Sequence, residues 1–326
     1  MKKRRANKKR NLVLLLIVSV IMLGTTTYAW FTANQVVTIN SLDVKVEASN
    51  GLQISTNASA WKSVLTNADI VAGYNGSKNQ LPATVTNVST DGIVNQDTGT
   101  LNMYKAVIGN DADTGDYNIT TSLEADKQGS IGNYIAFDVF LRVDKDQTIY
   151  LTTSSNVVAK EGTDDKGLKN AARIAFVELG KGASTDSPSD LMKLNNSVAS
   201  KAIIWEPNMD GHTAMVTDSV ASEFGVTLAA GTNTPYYGVN KEITSPINLK
   251  DLINGTNTDD ATLVNPDIAT PVAMTQYERA FDLTAGVTKM RIYMWIEGQD
   301  IDCENNATGS DISYNLQLST QSSSGN

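Results

Sequence analysis

One histidine, His212, and one cysteine, Cys303, are all that the 326 residues offer for imidazole or thiol chemistry. A zinc peptidase needs two histidines one helical turn apart with a glutamate base, and cysteine-rich metal sites need several thiolates. Neither set can be assembled. His212 stands in Met209-Asp210-Gly211-His212-Thr213, a turn-like context. Oxygen ligands are more plentiful. Asp111, Asp113 and Asp116 alternate as carboxylates do on a calcium loop, but Gly115 is fifth where glycine should be sixth, and Ser122 replaces the acid at position twelve. These three are weak calcium candidates, and a solvated acidic turn accounts for them better. Asp300, Asp302 and Glu304 around Cys303 make a second acidic loop. Cys303 reads as a buried thiol or an intermolecular crosslink, burial being the commoner fate. Leu81-Pro82-Ala83-Thr84 begins like a cell-wall sorting motif, yet Val85 stands where glycine is required. The sequence offers no catalytic residue and no cofactor site, and the expectation is a protein that is not an enzyme.

The remaining signals concern export and architecture. Seven bases crowd the first ten positions and no acid precedes Asp43, so a net charge of -9 divides into +7 before Ala29 and -16 after it. Leu12 to Leu23 is apolar apart from Ser19, and Gly24 and three threonines follow. A basic start, an apolar run and small residues are the parts of a secretory signal. Thr27-Tyr28-Ala29 fits the cleavage site, and a cut between Ala29 and Trp30 leaves 297 residues. An uncleaved anchor over residues 12–31 is the alternative, being about the length a bilayer requires. Either way the basic cluster stays inside and the body faces out. An acidic body of this charge repels nucleic acid and anionic lipid.

That body reads as all-β. Leu42, Val44, Val46 and Ala48 alternate with Asp43, Lys45 and Glu47, the pattern of a half-buried strand. Val37 and Ile39 have the opposite parity, so the register shifts near Asn40-Ser41. Tyr134 to Val143 is the strongest strand, with Ile135, Phe137, Val139, Leu141 and Val143 on one face. Asp144-Lys145-Asp146 separates it from Thr148 to Thr153, forming either a hairpin or a strand pair bent at a turn. Ala172 to Leu179, Lys289 to Glu297 and Ile312 to Leu318 are similar strands, and together they predict a sandwich. Short helices are expected in Ser187 to Lys201 and in Pro246 to Ile253. The polar stretches Ala72 to Thr100 and Gly231 to Pro271 are too long for plain loops and should hide short strands.

The start of the chain, with Trp30-Phe31-Thr32 after the small residues and Ser41-Leu42-Asp43-Val44-Lys45-Val46 soon after, resembles the TasA and camelysin group. These are secreted proteins of Gram-positive bacteria processed by a SipW-type signal peptidase. The resemblance covers residues 1–48 and, more weakly, 134–153. Arg291 to Ser319 also looks like the ending of uncharacterised secreted clostridial proteins, which implies no activity. What the resemblance implies is a jelly-roll subunit of an extracellular matrix (biofilm) fibre, whose N-terminal segment completes the sheet of the next subunit. Camelysin relatives are classed as metalloproteases, but the ligands for that chemistry are missing here.

The expected organisation is a signal peptide or anchor at 1–29, an N-terminal strand arm at 30–48, a jelly-roll-like β-sandwich with long polar loops and one or two short helices at 49–319, and a disordered tail at 320–326. The arm's anchors are Trp30, Phe31, Val36, Val37 and Ile39. An extended segment adding to a sheet edge gains main-chain hydrogen bonds, and a head-to-tail contact that does not close propagates as a filament. The expected partners are other copies or related matrix subunits, with signal peptidase during export. The alternatives stay open: the arm is a linker or a strand of its own domain, or the protein is a membrane-anchored binding module whose loops, such as Thr234-Pro235-Tyr236-Tyr237, contact carbohydrate or a host protein.

Overall fold

The segment Gly286–Glu297 carries two interleaved sets of side chains, and each set finds its own layer. Met290, Ile292, Met294 and Ile296 enter the main core, while Tyr293 and Trp295 point to a second cluster on the opposite face. A strand buried on both faces must be central, and the other elements are arranged around it. The computed structural model describes residues 42–49, 51–110, 114, 116–165, 167–197, 199–208, 238–248, 251–252, 256–258, 261–264, 268–269, 276–298, 300, 303 and 311–322.

In chain order the strands are β1 (Leu42–Ser49), β2 (Gln53–Ser55), β3 (Val64–Leu65), β4 (Asn79–Gln80), β5 (Asn87–Val88), β6 (Val94–Asn95), β7 (Thr100–Leu101), β8 (Met103–Asn110), β9 (Tyr117–Glu124) and β10 (Ile135–Val143). They continue with β11 (Gln147–Leu151), β12 (Asn156–Ala159), β13 (Ala172–Gly182), β14 (Ile203–Trp205), β15 (Gly238–Val239), β16 (Ile243–Asn248), β17 (Leu263–Val264), β18 (Ile268–Ala269), β19 (Glu278–Leu283), β20 (Gly286–Glu297) and β21 (Ile312–Ser319). One sheet has the order β19-β11-β21-β1-β3, with β12 also on β21. The facing sheet has the order β18-β14-β13-β20-β10-β2, with β4 on β10 and β5 on β20. Val44 and Val46 of β1, with Tyr314, Leu316 and Leu318 of β21, meet Phe137 and Val139 of β10 and Ile292 of β20 in one core. The fold is an all-β sandwich.

The alternation of Val44, Val46 and Ala48 is realised as expected: all three are buried, and Lys45 is exposed. β1 runs parallel to β21 from Leu42↔Ile312 to Ser49↔Ser319, and only Val46 and Glu47 also pair with β3. Residues 42–48, grouped above with the arm, are therefore a strand of the body's own sheet, and the boundary expected at 48/49 moves to the start of β1. The segment 134–153 is the bent pair rather than the hairpin, because β10 lies in one sheet and β11 in the other. Asp144-Lys145-Asp146 is where the chain crosses between layers.

One helix, Pro188–Lys193, forms within the expected 187–201 stretch, with Ser187 Oγ accepting from Asp190 N at 3.2 Å and proline in the first turn. The helix expected over Pro246 to Ile253 is corrected in its first half: Pro246, Ile247 and Asn248 end β16, whose Ile247 and Asn248 pair with β9, while Asp251 and Leu252 are helical. Tertiary pairing outweighs the local pattern there. A helix at Asn67–Ala72 was not expected, although Thr66 and Asp69 carry its capping signature: Asp69 accepts from the Thr66 backbone and hydroxyl, both at 3.1 Å. The long polar stretches do hide short strands, β4 to β7 in the first and β15 to β18 in the second.

Candidate functional site

Register places the charges. Asp138 of β10 stands opposite Arg291 of β20, and Lys289 lies diagonal to it on the same outward face. Arg291 donates through Nε to Asp138 Oδ1 at 2.7 Å and forms longer contacts of 3.4 Å with Asp126, Gly99 O and Asn195. Lys289 Nζ lies 3.6 Å from Asp138 Oδ2 and donates to the carbonyls of Met192 at 3.0 Å and Leu194 at 2.6 Å. Tyr293 and Tyr134 each donate to Asp126 at 2.9 Å. Tyr74 donates to Asp138 at 3.4 Å and to Met192 O at 3.2 Å, and Lys78 N donates to Asp138 at 3.1 Å.

Loops around 74–78, 99, 126 and 192–195 are thus fastened to the outer face of one sheet by a shared set of buried charges. Burial lowers the Lys289 pKa, with Asp138 partly offsetting it. For Arg291, burial acts downward but is outweighed by Asp138 and neighbouring groups, which hold it above its usual value. Burial, reinforced by Asp126, pushes Tyr134 and Tyr293 well above the ordinary phenol value. Buried charges without partners are costly, and here each is satisfied by another group of the network. The arrangement immobilises loops; its phenols are held protonated and its carboxylates are engaged by donors.

A second cluster closes the end of the same sheet. Arg173 pairs with Glu206 at 2.7 Å and with Asp300, and donates to Asn170 O and Ala172 O at 3.0 Å. Burial opposes its charge, and Glu206, Asp300 and Glu297 more than compensate. Trp295 Nε1 donates to Glu297 at 3.0 Å, and Tyr314 donates to Trp295 O at 3.1 Å. Farther along, burial raises the Asp91 carboxyl, and burial with the nearby Asp91 pushes Tyr104 up to about 12.

On the opposite side of the molecule, a cleft of about 590 Å³ lies over β1, β12 and β21, lined by Lys45, Asn67, Val158, Glu161, Ser313 and Asn315 among others. A smaller one of about 280 Å³ adjoins it at Lys45 and Asn315. Asn67 Oδ1 accepts from Val44 N at 2.9 Å, occupying the edge of β1 that β3 leaves unpaired.

Of the residues singled out from sequence, Ala29, Trp30, Phe31, Val36, Val37, Ile39, Asp111, Asp113, His212, Asp302, Glu304 and the loop 234–237 lie outside the described residues. Asp116 is exposed and accepts from Asn248 Nδ2 at 3.2 Å. Among the described residues no group of three or more His, Cys, Asp or Glu is placed to hold a metal ion, and no helix is long and apolar enough to cross a membrane. Cys303 is buried, and Asp300 joins the Arg173 cluster rather than a loop site. Val85 is buried as well.

Sequence reasoning missed both charge clusters. The signal was present: Asp138 interrupts the apolar run YIAFDVFLRV, and Lys289, Arg291 and Glu297 share one parity within KMRIYMWIE. Comparison of the chain with known protein families, with characterised proteins and with solved structures finds no match.

Proposed function

We propose that this chain is a secreted or cell-surface structural protein, a subunit of an extracellular matrix fibre that assembles by exchange of an N-terminal strand. The observation that carries the reading is that Leu42–Ser49, directly after the proposed arm, is a strand of the chain's own sheet. β1 is supplied by the chain itself, and the core it enters is filled from both sheets. The apolar positions Val36, Val37 and Ile39 precede that strand in sequence, and the reading assigns them to a second copy. A strand added to another subunit's edge gains backbone hydrogen bonds at little cost to either fold. The basic, apolar and small-residue start supports export, and loops fastened by buried charges support a rigid building block.

The test uses protein beginning at Trp30 and a variant lacking Trp30 to Ile39, compared by electron microscopy and sedimentation. The expected result is filaments from the first and a folded monomer from the second. Filaments from the deletion variant would overturn the arm mechanism. The cleft over β1, β12 and β21 favours a second reading, a membrane-anchored surface binding module for carbohydrate or host protein; saturable glycan binding by a monomer that retains its N-terminus would support it instead. The intact mass of native protein distinguishes the cleaved from the anchored form.

A further inference from the structure

We infer that Asn75 is a site of spontaneous covalent modification, converting through a cyclic imide to aspartate and isoaspartate while the protein stays folded. Asn75-Gly76 occupies the centre of a four-residue turn closed by Ser77 N donating to Tyr74 O at 2.9 Å. Gly76 has φ +91, a conformation that belongs to glycine at the third position of a type II turn. Both central residues are exposed, and a Cβ built on Gly76 would meet nothing within 4 Å.

The reacting groups are unencumbered. Neither the Asn75 carboxamide nor the Gly76 N–H has a hydrogen-bond partner among the described residues. Other turn asparagines differ. Asn57 Oδ1 accepts from Ser59 N at 3.1 Å and Ala60 N at 2.8 Å, and Asn95 Oδ1 accepts from Asp97 N at 3.0 Å. Asn67 Oδ1 is held by Val44 N. Those contacts hold the carboxamide, whereas that of Asn75 is unheld; imide closure then requires the Asn75 ψ to leave its type II value, which only the Ser77 N to Tyr74 O hydrogen bond of the turn opposes.

In the reaction the Gly76 nitrogen attacks Asn75 Cγ, the Cγ–Nδ2 bond breaks and ammonia leaves, giving a five-membered imide. Water then opens either carbonyl. Opening at one yields aspartate, and opening at the other routes the backbone through the side chain as isoaspartate. No oxidant or cofactor takes part. The product turn carries a new carboxylate and, as isoaspartate, an extra methylene, directly beside Tyr74. That ring packs on Phe140 at 5.9 Å and donates to Asp138 and Met192 O.

The test incubates the full exported chain at mildly alkaline pH, native and in urea, and maps the tryptic peptide Ser63 to Lys78 by fragmentation mass spectrometry. The expected result is a gain of about 1 Da at Asn75 in native protein at a rate comparable to that in urea, with Asn67 unchanged in the native sample. Asn75→Gln should abolish the gain. Conversion in urea with none in the native sample would show that the turn protects Asn75 and would overturn the inference, as would absence of conversion in both.

Discussion

Replacing Arg291 with methionine tests whether the buried network holds the loops to the sheet. Arg291 and Asp138 are respectively 5% and 1% exposed at the side chain, and their shortest contact is 2.7 Å. Removing one partner of a buried pair costs about 3–5 kcal/mol, because the other charge stays buried and unmatched. Asp138 would keep Lys289 at 3.6 Å and the donors Lys78 N and Tyr74 OH. The remaining contacts of Arg291 are long. These facts place Arg291→Met near the lower end, about 3 kcal/mol, a large share of the roughly 5–15 kcal/mol typical of native proteins. The assay is urea unfolding followed by tryptophan fluorescence and circular dichroism, accepted only where the two transitions coincide. Arg279→Met is the control. Its pair with Asp282 has side chains 61% and 58% exposed, so the loss should stay below about 1 kcal/mol. Adding Asp138→Leu to Arg291→Met should not recover the loss, since Lys289, only 2% exposed at the side chain, then loses the carboxylate 3.6 Å away. If Arg291→Met costs no more than Arg279→Met, the network does not fasten the loops and the reasoning fails.

Alkaline unfolding should be steep. Tyr134, Tyr293 and Tyr314 have folded-state pKa values raised chiefly by burial above the ordinary 10.0. The native state therefore keeps protons that the unfolded chain releases, so this stability is intact below pH 10 and falls as pH rises beyond it. Each tyrosine should contribute about 1.4 kcal/mol per pH unit in that range; phenolate absorbance should appear together with unfolding, and Tyr314→Phe should flatten the slope by one such increment. A gradual phenolate signal in folded protein would contradict the burial. Gly286→Ala should destabilise by about 1–3 kcal/mol from backbone conformation alone, because Gly286 has φ +123 and an added Cβ would lie 2.5 Å from Gly182 O. Thermal unfolding measures it, and an unchanged midpoint would show that the tight start of β20 relaxes freely.

Much of the sandwich was legible before any coordinates. Alternation in Leu42 to Ala48, Tyr134 to Val143 and Lys289 to Glu297 specifies strands, because side chains in an extended chain point to opposite faces with a period of two. The short helix at 188–193 was legible from its cap. The strand at Pro246–Asn248 was not, since its conformation is decided by pairing with β9 rather than by local preference. The charge clusters were half legible: Asp138, Arg291 and Lys289 stood out as charges inside apolar strands, but their partners lie far away in sequence at residues 74, 126 and 192–195.

The sequence by itself determined a basic and then apolar start, an acidic body, an all-β core and a chain too poor in histidine and cysteine for the commoner metal chemistries. These follow from composition and from periodicities that act within a few residues. Only the tertiary structure decided that Leu42–Ser49 is a strand of the body, parallel to the last one, and that the outward charges of β10 and β20 are buried rather than solvated. Both depend on which distant segment covers a given edge or face, and no local pattern carries that information.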